Sequence, residues 1–158
     1  LAAITVADLD WSDPRGVVVS IQRSKTDQTG VGREVSITRG RNPSTCPVRA
    51  LRSYLTAAGV QAGPVFRGID RHGNVSDRGM TGAGVAYVVK AAGKLAGLSP
   101  AQVSPHGFRA GHVSARLAAG EDAAAVMDTT GHRSVAMLRR YDRASRRFRL
   151  DVSGALGL

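Results

Sequence analysis

The sequence predicts an α+β fold, mostly α-helical with a small antiparallel β-sheet or hairpin. Three observations predict it. Two short alternating apolar runs flank a polar, glycine-bearing stretch near the N-terminus, and helix start and stop signals recur through the middle of the chain. The last third then opens on Ser104-Pro105 and continues with apolar residues at helical spacing. At 158 residues and 42% hydrophobic composition, the chain has the size of one domain and can bury a core.

Taken in order, Leu1-Ala2-Ala3-Ile4-Thr5 is apolar and uncapped, and reads as the end of a helix that begins before Leu1. Residues 16–23 alternate, with Val17, Val19 and Ile21 facing one way; Val35 and Ile37 repeat the pattern after the polar residues 24–32. Two alternating runs around such a loop predict a β-hairpin. Asn42-Pro43-Ser44 is a turn, and Pro47 suits the first position of a helix over 47–58, ended by Gly59 and Gly63-Pro64. Residues 68–79, rich in Gly, Asp and Arg, read as a loop with room for a short ribbon. Thr81 is a cap for a helix to Leu95, closed by Gly97.

Ser104 caps the next helix, with Pro105 at its first position and Ala110, Val113 and Leu117 on one face. Gly120 interrupts, and Glu121 and Asp122 begin a further helix where acidic side chains favour the dipole. Gly131 ends that helix, and Ser134 caps a third through Val135, Leu138 and Tyr141.

The 22 Lys+Arg against 12 Asp+Glu give a net charge of +10, and all but three of the cations are arginine. Guanidinium forks match phosphate oxygens in pairs, so a polyanionic partner is expected. No apolar run approaches the ~18 residues of a membrane span, and the N-terminal residues do not spell a signal-peptide pattern. The single cysteine, Cys46, excludes an internal disulfide framework and fits a reducing, cytoplasmic setting.

Five polar residues stand out: Lys25 at the lip of the hairpin, His106 and Arg109 three apart on one helix, His132 after Gly131, and Tyr141 in the last helix. Singly, each has a structural explanation. His106 shares the face of Ala110 and Leu117, as a core histidine would; Arg109 can snorkel; His132 can sit at a helix end; Tyr141 can anchor a helix; Lys25 can be a solvated loop charge. Together they supply what attack on a phosphodiester needs: a nucleophilic phenol, donors for the non-bridging oxygens, a base and an acid for the departing oxygen. No carboxylate cluster for Mg²⁺ is present, and cationic side chains can do the same electrostatic work, so neither metal nor cofactor is expected. His106 and His112 lie six apart and diverge on a helix, which argues against a histidine metal site. Gly82-Ala83-Gly84 is no dinucleotide fingerprint, since no strand precedes it and the third glycine is missing. Cys46, with no base nearby in sequence, reads as a small structural residue.

The ordered set Lys25, His106-Gly107-Phe108-Arg109, Gly131-His132 and Tyr141 resembles the catalytic domain of the tyrosine recombinase (phage integrase) family. The segments His106-Gly-Phe-Arg-Ala-Gly-His112, Gly131-His132-Arg-Ser and Arg140-Tyr141 carry the likeness, which runs over essentially the whole chain. It implies that family's fold and the breaking and rejoining of double-stranded DNA through a 3′-phosphotyrosyl intermediate. Tyr141 would be the nucleophile, Arg109 and His132 the phosphorane stabilisers, His106 the proton shuttle and Lys25 the acid. Arg139, Arg140, Arg143, Arg146 and Arg147 bracket Tyr141 and are candidates for backbone-phosphate contacts. The alternatives are a basic DNA-binding module without catalysis and a type IB topoisomerase-like relaxase.

The resemblance also implies a monomer free in solution, a homotetramer on synapsed DNA, a bacterial or phage-derived setting, and an apolar tail at 150–158 that docks on a neighbouring protomer. The family's first catalytic arginine has no counterpart, because Arg15 follows Trp11-Ser12-Asp13-Pro14 in a different element. A catalytic domain cut within its first helix and lacking the core-binding domain is therefore expected. Alone, it should bind DNA weakly and cleave it poorly.

Overall fold

The structure, a computed structural model, describes residues 2–22, 32–101, 103–132, 134–138 and 141. The chain divides into two compact units, Leu1–Val88 and Val89–Leu158. Mixed helices and small antiparallel sheets make up the described residues, in line with the fold class read from the sequence.

In the first unit, β2 (Gly16–Ile21) pairs antiparallel with β3 (Arg33–Thr38) as the hairpin reading expects, with Val17 opposite Ile37 and Val19 opposite Val35. Alternation sends Val17 and Val19 into a core with Leu9, Cys46, Val48 and Val65. A third strand, β1 (Leu9–Asp10), joins the other side of β2 and escaped the sequence reading, because two residues are too few to show a period. The amino-terminal expectation is corrected. Ala2 and Ala3 lie in a turn, Thr5 forms a bridge with Pro64, and Val6–Asp8 makes only a 3₁₀ turn, whose Asp8 carboxylate accepts from the Thr5 N–H at 2.8 Å. These backbone groups pair with a neighbouring segment instead of continuing a helix.

Helix α1 (Pro47–Ala57) begins at its proline as expected. Cys46, just before it, is buried, and its Sγ accepts the Gly40 N–H at 3.2 Å. This supports the structural reading of the cysteine. The stretch 68–79 resolves into a ribbon of β4 (Arg67–Ile69) and β5 (Val75–Gly79), with a register shift between Arg67 and Ile69. Asp70 organises its turn by accepting from the N–H groups of His72 and Asn74. Thr81 accepts the Gly84 N–H at the start of α2 (Gly82–Leu95), and Gly97 follows at a φ of 76°.

In the second unit, α3 (Pro105–Ala118) starts where Ser104 Oγ accepts the Gly107 N–H at 2.9 Å. Asp122 caps α4 (Ala123–Thr130) by accepting from Ala124 and Ala125. Glu121 lies outside that helix, which corrects the expectation that it opens it. It pairs instead with Arg116 of α3 at 2.6 Å, an attraction that holds its carboxyl below the usual range. Gly131 ends α4 in the left-handed region, at a φ of 69°. The described part of the next helix, α5, is Val135–Leu138; Arg139 and Arg140 lie outside the described residues, and Tyr141 stands in a turn.

Val113, Leu117, Val126 and Leu138, one or two from each helix, form the core of this unit, with Ala123, Met127 and Tyr141 packed against it. Full burial of such a side chain contributes roughly 1.5–3 kcal/mol, so this small cluster is what fixes α3, α4 and α5 against one another. Among the described residues no helix is long and apolar enough to cross a membrane.

Candidate active site

Four of the singled-out residues belong to the second unit, and helix ends place each of them. Arg109 sits one turn into α3, three residues after His106. His132 follows the glycine that stops α4, so the left-handed turn at Gly131 directs the chain back toward the core. Tyr141 follows α5, and its N–H donates to the Leu138 carbonyl at 2.8 Å.

Three of the four converge. An Arg109 guanidinium nitrogen, Nη2, donates to the backbone carbonyl of Thr130. The Thr130 hydroxyl lies 2.6 Å from Nδ1 of His132, and both residues are buried. The His132 and Tyr141 rings meet edge to face, with centroids 5.7 Å apart and planes at 64°. The Ser114 hydroxyl of α3 donates to the Tyr141 carbonyl at 3.0 Å. A cation, an imidazole and a phenol are thus held in one place by contacts from α3, α4 and the turn after α5.

His106 lies in the first turn of α3 and is exposed. That corrects the reading of it as a core histidine: Val113 and Leu117 point inward, while His106 and Arg109 occupy the open side near the helix start. Lys25 lies outside the described residues, as do Arg139, Arg140, Arg143, Arg146 and Arg147 and the tail at 150–158.

The sequence reading missed Thr130 and Ser114. Thr130 left a signal: it stands four residues after Val126 on the buried face of α4, where a polar side chain needs a partner. Ser114 left none, because its acceptor is a backbone carbonyl far along the chain. Arg116 was missed as well. It bonds Glu121 and the Thr129 hydroxyl, bracing the end of α3 against the residue before the α4 cap and against the last turn of α4.

The family model described as the phage integrase family matches residues 1–147. Over 141 residues the chain is 33% identical to an integrase/recombinase xerD homolog from Selenomonas ruminantium, a match covering 89% of this chain and 41% of that relative. The chain therefore spans less than half the length of the relative it matches.

Proposed function

The chain belongs to the phage integrase family, the tyrosine recombinases, and on that premise we propose that it breaks and rejoins double-stranded DNA in site-specific recombination. The observation that carries this reading is the convergence of Arg109, His132 and Tyr141 in one compact unit, tied together through Thr130 and the edge-to-face ring contact.

In the proposed reaction the Tyr141 phenolic oxygen attacks the scissile phosphorus. Its proton passes to His106, a new phosphorus–oxygen bond forms, and the bond to the 5′ oxygen breaks. Lys25 gives that oxygen a proton, leaving a free 5′-hydroxyl and a 3′-phosphotyrosyl link. Arg109 and His132 stabilise the charge on the non-bridging oxygens. A hydroxyl from a second strand then reverses the step, and the phosphotyrosyl bond conserves the energy of the one broken. Arg139, Arg140, Arg143, Arg146 and Arg147 would contact backbone phosphates beside the nucleophile. The working assembly is a homotetramer on synapsed DNA.

The test uses the full-length protein on DNA carrying its recombination site. Tyr141→Phe should retain DNA binding and form no covalent protein–DNA adduct. An adduct that survives this substitution removes Tyr141 as nucleophile, and with it the assignment.

A further inference from the structure

We infer that Thr130 is a positioning residue that fixes which nitrogen of His132 carries the proton, and that it couples this imidazole to Arg109; the catalytic consequence rests on the function proposed above. Thr130 is the last residue of α4 and 5% exposed. Its Oγ1 makes two short contacts, 2.5 Å to the Val126 carbonyl one turn back and 2.6 Å to His132 Nδ1. A carbonyl can only accept, and a threonine hydroxyl has one proton to give. That proton goes to Val126.

The contact with Nδ1 must then carry the imidazole's own hydrogen, with Nδ1–H donating to Oγ1. The reverse arrangement would set two oxygen lone pairs against each other at 2.5 Å, with no hydrogen between them, in a buried place. Neutral His132 therefore holds its proton on Nδ1 and has an acceptor at Nε2. Nε2 becomes a donor only when the ring is an imidazolium. Hence His132 can donate to a phosphate oxygen through Nε2 only in its charged form, and the neutral ring can only accept there.

Thr130 also ends α4 with a carbonyl free of any helical partner further along, and the Arg109 guanidinium takes that carbonyl. One residue thus sets the imidazole through its hydroxyl and the guanidinium through its backbone. Thr130→Val preserves the shape and the carbonyl while removing the hydroxyl. It separates the two functions.

The experiment reads the tautomer directly. Long-range proton–nitrogen correlation spectra of the full chain, labelled with nitrogen-15 and held at about pH 8, above the ordinary imidazole range, identify the protonated nitrogen of His132. Proton on Nδ1 is expected in the unsubstituted chain and in Thr130→Ser, with a shift toward the Nε2–H form in Thr130→Val. Proton on Nε2 in the unsubstituted chain overturns the inference, and so does an Nδ1–H ring that persists in Thr130→Val. Should the valine variant not fold, the unsubstituted chain and the serine variant still decide the matter.

These spectra are recorded without DNA, so they stand whether or not the chain cuts DNA. The Tyr141→Phe adduct assay tests that separately. In full-length protein, Thr130→Val should lower the rate of adduct formation about ten- to a hundredfold at unchanged DNA affinity, with Thr130→Ser restoring most of it. A switched tautomer with an unchanged rate would overturn the positioning role.

Discussion

The Ser114 hydroxyl donates to the backbone carbonyl of Tyr141 across 3.0 Å, tying the middle of α3 to the turn that follows α5. Among the described residues, α5 has four, and Tyr141 follows it in a turn. This bond and the Leu138 contact supply the constraint. Ser114→Ala should destabilise the chain by about 1 kcal/mol, the ordinary net value of one such hydrogen bond. Urea unfolding measures it; an unchanged midpoint would mean that the carbonyl finds another donor.

Among its described residues, the second unit has a core cluster of four buried side chains. Leu138 is 1% exposed and packs with Val113, Leu117 and Val126. Leu138→Ala leaves a cavity that short helices can fill only in part, and should lower stability by roughly 2–5 kcal/mol. Thermal unfolding followed by circular dichroism provides the check. A loss below 1 kcal/mol would mean that α5 contributes little to this core.

In the first unit, Gly16 opens β2 opposite Thr38 of β3. A Cβ placed there would stand 2.1 Å from the Ile37 carbonyl oxygen, a backbone atom that cannot swing away. Gly16→Ala should therefore force the strands apart and destabilise the chain by about 1–3 kcal/mol. Denaturant unfolding should register that loss. Unaltered stability would show that the register adjusts freely.

The turn between β1 and β2 has a pH signature. The Arg15 guanidinium and backbone N–H bond the Asp13 carboxylate and lower its pKa from 3.8 to about 2. Because the folded value is depressed, the contribution to stability is fully present above 3.8 and fades as pH falls toward about 2. A carboxyl titration by NMR should place Asp13 near the lower value. Arg15→Ala should return it toward 3.8; an unmoved titration would assign the shift to other groups.

The imidazole of His132 and the phenol of Tyr141 show how far the sequence reaches into the site. Their identity and order, with Arg109, were legible because the proposed reaction needs such groups and the motif spacing singles them out. Ser114 was not legible, since it acts through one hydrogen bond with a carbonyl that helix packing brings near, and Thr130 left only the signal of a polar side chain on a buried helix face. His106 was misread when taken alone, because helical periodicity near the start of α3 does not reveal which side the core covers.

The sequence by itself determined the elements whose causes are local. The cap at Ser104, the proline that opens α1, the stop at Gly131 and the alternation of β2 and β3 all come from the dihedral limits and side-chain hydrogen bonds of a few adjacent residues. It also named the groups of the proposed site. Tertiary structure alone decided the third strand at Leu9–Asp10, the placing of Glu121 on Arg116, the bond from Arg109 to Thr130 and the contact of Ser114 with Tyr141. Each of these joins atoms distant along the chain or independent of its period. Their geometry exists only after the apolar faces of the strands and helices have been buried against one another.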